Sequence, residues 1–167
     1  MSAITPNSPA HANLPPLASR FVDVAALPWA VSQMHPGVQT KTLLLEPDSG
    51  LLTMLLQMAP GAKLPDHEHV LIEQTWVLQG SLVCGEGVCK AGDFVWRPAG
   101  SRHEAWAGPE GGLMLGIFQI PNRFFQADGK VVDFAGNAWE PIWADALARQ
   151  EQARSAPRHC PRSPRQI

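Results

Sequence analysis

Three histidines and one glutamate are spaced as ligands of a single metal ion would be. His67 and His69 lie two residues apart, Glu73 follows His69 by four, and His103 comes from a separate segment. On a β-strand, residues i and i+2 share one face about 6.6 Å apart, so both imidazoles can reach one ion. The spacing therefore predicts a site for one divalent metal, held by His67, His69, Glu73 and His103.

The position of Glu73 requires a bend between it and His69. A straight strand would carry Glu73 about 13 Å away, too far for both side chains to meet at one ion. We therefore expect residues 70–72 to leave the strand and turn back. Three neutral imidazoles and one carboxylate would leave coordination positions open for a substrate or O₂, as in a catalytic site.

Short apolar runs separated by turn residues predict an all-β protein. Proline and glycine account for 16 and 14 of the 167 residues, more than a helical protein tolerates. The composition of one segment, 143–154, favours a helix. The apolar runs recur at a spacing typical of a sandwich or small barrel, at 38–45, 51–58, 75–83, 94–97, 113–119 and 130–134.

Length and composition indicate one folded domain between two poorly structured ends. A chain of 167 residues suits a single core. Residues 1–19 contain four prolines, and residues 155–167 combine three prolines with arginine and serine. These segments are expected to be a flexible arm and a disordered tail. The sequence thus predicts a single domain over residues 20–154.

Charge and hydropathy exclude several classes of partner. The net charge is −2, and five of the 13 basic residues lie beyond residue 148, which leaves the rest of the chain acidic. An acidic domain binds polyanions poorly, so we expect no nucleic-acid partner. No apolar run is long enough to span a membrane, and the N-terminus lacks the pattern of a secretory signal. We therefore expect a cytoplasmic protein.

The three cysteines are too few for a disulfide scaffold. A two-residue turn at Glu86 and Gly87 would place Cys84 opposite Cys89, within reach of a disulfide. A reducing compartment favours two free thiols instead. The third cysteine, Cys160, lies in the predicted tail.

The two segments that carry the candidate ligands resemble the cupin superfamily. Its first motif, G-x5-H-x-H-x3-E-x6-G, is matched by the run from Gly61 to Gly80. Its second motif, G-x5-P-x-G-x2-H-x3-N, is matched from Gly92 onward, with Ala107 in place of the final Asn. The resemblance implies an all-β fold, the double-stranded β-helix or jelly-roll barrel of the cupins. The segment at 143–154 would add a short C-terminal helix to this barrel. It also implies a metal inside the barrel and a homodimer or higher homo-oligomer.

Segments outside the motifs are similar to single-domain cupins related to acetylacetone dioxygenase and 2,4'-dihydroxyacetophenone dioxygenase. The similarity covers most of residues 27–143 and includes an Asp-Gly-Lys-Val hairpin after an aromatic pair. It implies a metal-dependent dioxygenase that uses O₂ to cleave a C–C bond of a small diketone or hydroxyketone. Fe(II) is the favoured metal because the reaction needs a redox change, whereas Zn, Mn or Ni would fit the same ligands.

Other functions use the same ligand set. The zinc-binding cupin half of bacterial anti-sigma factors shares the His-x-His-x3-Glu arrangement, so a non-enzymatic zinc sensor or ligand-binding module is the alternative. Isomerase or decarboxylase chemistry would need a proton-transfer residue beside the metal, and none is evident beyond the ligands.

Three further residues are predicted to wall an apolar substrate pocket: Gln57, Trp96 and Phe118. Trp76 and Leu78 have the opposite strand parity to Glu73, so we expect them to face away from the metal. A partner subunit would cover them.

Overall fold

The chain forms a curled antiparallel β-sheet with one helix packed against it, which confirms the predicted all-β architecture. The computed structural model describes residues 3–155. The strands are β1 (Ala30–Val31), β2 (Val38–Glu46), β3 (Leu51–Met58), β4 (Lys63–Glu68), β5 (Glu73–Cys84), β6 (Gly87–Lys90), β7 (Phe94–Arg97), β8 (Arg102–Phe118), β9 (Arg123–Phe125) and β10 (Val131–Val132). The helix is α1 (Trp139–Ser155), and a short 3-10 helix spans Pro9–His11.

Strand β8 joins both sides of the curled sheet because it pairs with three other strands. Over its 17 residues it runs antiparallel to β3, to β4 and to β5. Strand β5 pairs in addition with β6 and β7, and the remaining order is β1-β2-β3-β8-β4-β9-β10. The strands that carry the candidate metal ligands, β4, β5 and β8, therefore lie side by side.

Side chains that alternate along the strands fill the inside of the curl. On β3, Leu52, Met54 and Met58 are buried, and they share the interior with Val77 of β5 and Met114 of β8. This period-2 pattern is the burial expected of a sheet with one face on the core. The interior is therefore largely apolar around the polar site.

The predicted bend between His69 and Glu73 is present, since β4 ends at Glu68 and β5 begins at Glu73. Within the bend, Leu71 is buried in an apolar cluster with Trp139 and Trp143 of α1. Trp139 is itself fixed by a hydrogen bond of 2.8 Å from its indole N–H to the carbonyl of Pro121. The helix therefore supports the bend that returns the chain toward the site.

Gly80, the last residue of the first motif, sits where another residue would not fit. Its φ is +65°, and a Cβ there would collide with the carbonyl of Gly111. A positive φ and a close backbone approach both favour glycine. The motif glycine thus allows the backbones of the paired strands β5 and β8 to approach closely at this point.

Some elements differ from the sequence prediction. The helix spans Trp139–Ser155 rather than 143–154 because the buried Trp139 forms part of its first turn. Strands β1 and β9 lie outside the predicted apolar runs because they are only two and three residues long, whereas β4 and β6 correspond to the strand expected at His67 and to the hairpin expected after Cys84. None of the helices in residues 3–155 is both long and apolar enough to cross a membrane.

The start of the described chain is attached to the barrel rather than loose. Ile4 pairs with Leu45 through two backbone hydrogen bonds of 2.8 Å, and the Thr5 hydroxyl donates to the carbonyl of Leu43. An exposed strand edge offers such backbone partners to any extended segment. The predicted tail, apart from Ser155, lies outside the described residues, as does Cys160.

The hairpin between β5 and β6 turns one residue earlier than predicted. Its loop is Gly85 and Glu86, so Cys84 pairs with Gly87 while Cys89 pairs with Leu82. The two cysteines are therefore offset across the strands, and both are free thiols.

Candidate metal centre

Three imidazole rings converge inside the barrel, and we call His67, His69 and His103 the histidine triad. His67 on β4 is the direct register partner of His103 on β8. The three ring centroids lie 4.6 to 5.0 Å from one another. His67 is 2% exposed and His69 is fully buried, whereas His103 is half-buried. The two separated motifs thus bring their histidines to one point.

The turn in the second motif holds the backbone of His69. The amide of His69 donates to the carbonyl of Ser101 at 2.9 Å, and the amide of Gly100 donates to the carbonyl of His69 at 2.7 Å. Gly100 adopts a φ of +79°, which suits glycine in a tight turn. The Pro-x-Gly segment therefore positions His69 as well as redirecting the chain toward His103.

The nitrogen atoms of the triad are arranged as a cation site requires. Nδ1 of His67 lies 2.8 Å from the carbonyl of Pro65, so this nitrogen carries the proton and Nε2 is left as the donor of a lone pair. Nε2 of His69 and Nε2 of His103 are 2.9 Å apart. Two nitrogens bound to one ion at about 2.1 Å lie about 3 Å apart when they subtend a right angle.

The spacing of the three rings also fits a metal. The ligand atoms of the triad all lie within 4.8 Å of one another. Neutral rings with converging lone pairs repel unless an ion or a proton lies between them, so the donor set fits a divalent transition metal.

Burial keeps two of the rings neutral. It lowers the pKa of His67 to about 4, and the positive charges of neighbouring groups contribute less. Burial likewise lowers the pKa of His103 to about 4, followed by the effects of His67 and Arg97. A neutral imidazole is the form that binds a metal. Both rings are therefore ready to ligate at neutral pH.

Glu73 lies beside the triad and contacts His69. Its Oε2 is 2.7 Å from Nδ1 of His69, a close contact that lacks the alignment of a hydrogen bond. The same oxygen accepts a hydrogen bond of 3.0 Å from Asn122, and Oε1 accepts one of 2.7 Å from Thr75. The carboxylate is therefore next to the ring of His69, on the opposite edge from the Nε2 atoms that converge. Its role as a fourth ligand stays a prediction.

The carboxylate of Glu73 is ionised despite its surroundings. Burial raises its pKa, but the contacts with His69, Asn122 and Thr75 outweigh this effect and lower the pKa to about 2. A buried carboxylate that receives hydrogen bonds to its charged form remains an anion. Glu73 therefore supplies one negative charge to the site.

A small inner cavity adjoins the triad. It has a volume of about 40 Å³ and is lined by His67, Glu73, Phe118 and Phe124, with other apolar side chains. Phe124 also stacks on His67, with ring centroids 4.9 Å apart. Of the three predicted wall residues, Phe118 is the one that lies here. The inner cavity holds little more than one water molecule, whose volume is about 30 Å³.

The other two predicted wall residues lie elsewhere, which corrects the sequence prediction. Trp96 is 58% exposed on the outer face of β7 and pairs in register with Gln74. Gln57 is exposed, accepts a hydrogen bond from Gln39, and lines a separate surface cavity of about 240 Å³. Both residues have outward strand parity, because their neighbours along β7 and β3 point inward.

Sequence reasoning missed three residues near the triad. Asn122 reaches Glu73 from the loop before β9, Arg97 is the register partner of Glu73 on β7, and Cys84 ends β5. Cys84, Glu86 and His103 have ligand atoms within 4.8 Å of one another. The inward parity of Arg97 was the available signal, since it lies opposite Glu73 once β5 and β7 are paired.

The curled barrel and its buried histidine triad define a cupin, a class whose members generally bind a metal. The chain belongs to the ChrR cupin-like domain family, whose family model matches residues 18–122. That range includes every residue of the triad, Glu73 and Asn122. No curated protein matched the sequence.

Solved structures with this fold have low sequence identity. An acetylacetone dioxygenase from Acinetobacter johnsonii is 18% identical, with a TM-score of 0.64 over 81% of this chain and 96% of its own. A protein of unknown function with a cupin-like fold from Ralstonia eutropha is 24% identical, with a TM-score of 0.61 over 79% and 86%. The Rhodobacter sphaeroides complex of SigE with the anti-sigma ChrR is 24% identical, with a TM-score of 0.50 over 57% and 51%. These matches show the fold.

Proposed function

We propose that the protein is a metal-dependent dioxygenase that cleaves a C–C bond of a small diketone or hydroxyketone. The observation that carries this proposal is the convergence of three buried, neutral imidazoles in an otherwise apolar interior. The triad would hold the metal, with Glu73 as the proposed fourth ligand. The fold shared with an acetylacetone dioxygenase supports the reaction class.

When bound, Fe(II) supplies the redox change that allows O₂ to react with an organic substrate. The residues of this chain prepare the site for it. Burial keeps His67 and His103 neutral, Asn122 and Thr75 fix the carboxylate of Glu73, and Phe124 holds the ring of His67. In the overall reaction, one C–C bond would break and one atom of O₂ would enter each of the two products, which are a carboxylic acid and a dicarbonyl compound from a diketone, or two carboxylic acids from a hydroxyketone.

The proposal is tested by oxygen consumption. The protein is loaded with iron, its iron content is measured, and O₂ uptake is followed with a panel of β-diketones and aromatic hydroxyketones. We expect O₂ uptake with at least one compound, with one carboxylic acid formed per O₂ from a diketone or two from an aromatic hydroxyketone. The zinc-loaded protein is the control, since zinc has no redox change to offer. Bound iron without uptake across the panel would contradict the proposal.

A zinc-binding sensor or ligand-binding module is the second candidate. Two observations favour it: the match to the ChrR cupin-like family model and the small volume of the inner cavity, about 40 Å³. Elemental analysis of protein purified without chelators separates the two. Stoichiometric zinc that resists exchange for iron would favour the sensor, whereas iron that exchanges readily would favour the enzyme.

We expect the protein to form a homodimer or a higher homo-oligomer. Four large apolar side chains are exposed on the outer face of β5 and β7, where Trp76 pairs in register with Phe94: Trp76, Leu78, Phe94 and Trp96. An exposed apolar patch of this kind is typical of a protein interface. Sedimentation equilibrium measures the mass, and Trp76→Glu should shift it toward the monomer.

A further inference from the structure

Arg97 places a buried positive charge next to the proposed metal centre. Its side chain is 9% exposed and belongs to β7, where it is the register partner of Glu73. After the larger effect of burial, its charge contributes to the low pKa of both His67 and His103. The proposed metal centre thus has the positively charged guanidinium of Arg97 beside it in addition to the metal ion.

The contacts that Arg97 makes are weak for a buried guanidinium. Nη2 donates to Sγ of Cys84 at 3.3 Å, and Nη1 lies 3.5 Å from Oε2 of Glu86. The carboxylate of Glu86 is 69% exposed, and a thiol is a poor acceptor. Within residues 3–155, these are the only side-chain hydrogen bonds of Arg97. A buried charge with such partners favours an anion that completes its hydrogen bonds.

An outer cavity gives an anion access to Arg97. This cavity has a volume of about 380 Å³, and its charged lining residues are Arg97 and the carboxylates of Glu86 and Asp93, with Cys84 beside them. Sγ of Cys84 lies within 4.8 Å of a ring nitrogen of His103, so the outer cavity adjoins the triad. The inner cavity, in contrast, has a volume of only about 40 Å³. The outer cavity is therefore the better route to the metal.

A second metal ion in the outer cavity is disfavoured. Cys84, Glu86 and His103 have the spacing of a cation site. However, the guanidinium of Arg97 touches both the thiol and the carboxylate, and its positive charge repels a cation at that position. Arg97 is thus the group here that would pair with a negatively charged ligand.

We propose that Arg97 binds the carboxylate of the substrate and selects small oxo acids over neutral ketones. This inference rests on the proposed function and deepens it. The carbonyl or enol oxygens of the substrate would face the triad, while a carboxylate a few bonds away would pair with the guanidinium. Among the carboxylates of Glu73, Glu86 and Asp93, a bound divalent ion and Arg97 would be the two positive centres, one for the dicarbonyl oxygens and one for the carboxylate.

The test compares two ligands that differ in one group. Acetopyruvate is acetylacetone with a terminal methyl group replaced by a carboxylate. Calorimetric titration into the zinc-loaded protein measures binding without turnover, and titration into metal-free protein gives the metal-independent part. We expect acetopyruvate to bind roughly ten- to a hundredfold more tightly, as for a hydrogen-bonded charge pair.

Variants separate the charge from the rest of the site. Arg97→Met should remove the preference for acetopyruvate over acetylacetone, and Arg97→Lys should keep part of the preference. Arg102→Met, which removes an exposed arginine paired with Asp66, should leave the preference unchanged. Circular dichroism and zinc content establish that each variant is folded and loaded.

The affinities of the wild type for acetopyruvate and acetylacetone give the first decision. Equal affinities for the two ligands in the wild type overturn the proposal, and this comparison does not depend on any variant folding. A preference that survives in Arg97→Met also overturns it; if that variant fails to fold, Arg97→Lys and the wild type provide the decision. A preference for acetopyruvate in the zinc-loaded protein that is lost in Arg97→Met and kept in Arg102→Met supports the anion site even if the iron-loaded protein consumes no O₂.

Discussion

Asn122 donates a hydrogen bond of 3.0 Å to Oε2 of Glu73, although 49 positions separate the two residues in the chain. Asn122 is itself buried and lies in the loop between β8 and β9. The bond ties a loop outside both cupin motifs to the carboxylate beside His69. A side chain that holds a neighbour of the metal in place affects metal binding without touching the metal.

Removal of this hydrogen bond should weaken metal binding. In Asn122→Ala, the carboxylate of Glu73 loses one of its donors, so we expect zinc affinity to fall by roughly ten- to a hundredfold. Competition with a chelating dye measures the affinity. Gln39→Ala, which removes an exposed amide that bonds to Gln57, is the matched control and should bind zinc as the wild type does. Equal affinities for the two variants would contradict a supporting role for Asn122.

Loss of one ring of the triad should abolish metal retention. We expect His67→Ala or His103→Ala to lose the metal on dialysis and to keep a folded barrel, since the apolar interior is unchanged. His11→Ala removes a histidine outside the barrel, in the 3-10 helix, and should retain the metal. Metal analysis and circular dichroism give the result. Wild-type metal content in either triad variant would show that the ion, if any, is held elsewhere.

The stability of the metal-free protein should fall in mild acid. The pKa values of His67 and His103 are about 4 in the folded state, whereas an unfolded histidine has a pKa of about 6.5. Below about pH 6.5, the unfolded chain therefore binds protons that the folded protein does not, and the free energy of unfolding falls until about pH 4. Protonation of Glu73, whose pKa in the folded state is about 2, should lower the free energy of unfolding further at lower pH.

Urea denaturation of metal-free protein across this pH range measures the effect. The decline in the free energy of unfolding should be shallower in His67→Gln, which removes one of the titrating rings. His11→Gln should show the wild-type slope. A wild-type free energy of unfolding that is independent of pH between about 6.5 and 4 would rule out the neutral, buried rings.

The bend between His69 and Glu73 should depend on the helix. Leu71 is buried against Trp139 and Trp143, so Leu71→Ala should lower the free energy of unfolding by about 2–5 kcal/mol. Leu78→Ala, at an exposed position of β5, should change the free energy of unfolding of the monomer by less than about 0.5 kcal/mol. Leu71→Ala should also weaken zinc binding, because the bend positions Glu73. Similar stability losses in both variants would argue against this support.

Much of the site was predictable because it is local in sequence. The i, i+2 spacing of His67 and His69 indicated two imidazoles at one ion, although β4 ends at Glu68 and His69 lies just beyond it. The bend before Glu73 follows from the distance that a straight strand would impose. The Pro-x-Gly turn marks where His103 enters. These features need no knowledge of how distant strands pair.

The remaining features depend on register and on long-range packing. Arg97 faces the site because β7 pairs with β5 so that it lies opposite Glu73. The same register turns Trp96 outward, which the sequence alone did not reveal. Asn122 and the outer cavity arise from loops and strands that meet only in the folded chain. Such contacts cannot be read from spacing within one segment.

The arrangement of β8 sets when the chain can first acquire its metal. This strand runs from Arg102 to Phe118, bears His103 near its start and pairs with both β4 and β5. When only the first motif has left the ribosome, His67 and His69 are therefore present without His103 and without the strand β8 that pairs beside them. Tight metal uptake should consequently wait until β8 has left the ribosome, and a nascent chain truncated before residue 102 should capture no ion tightly.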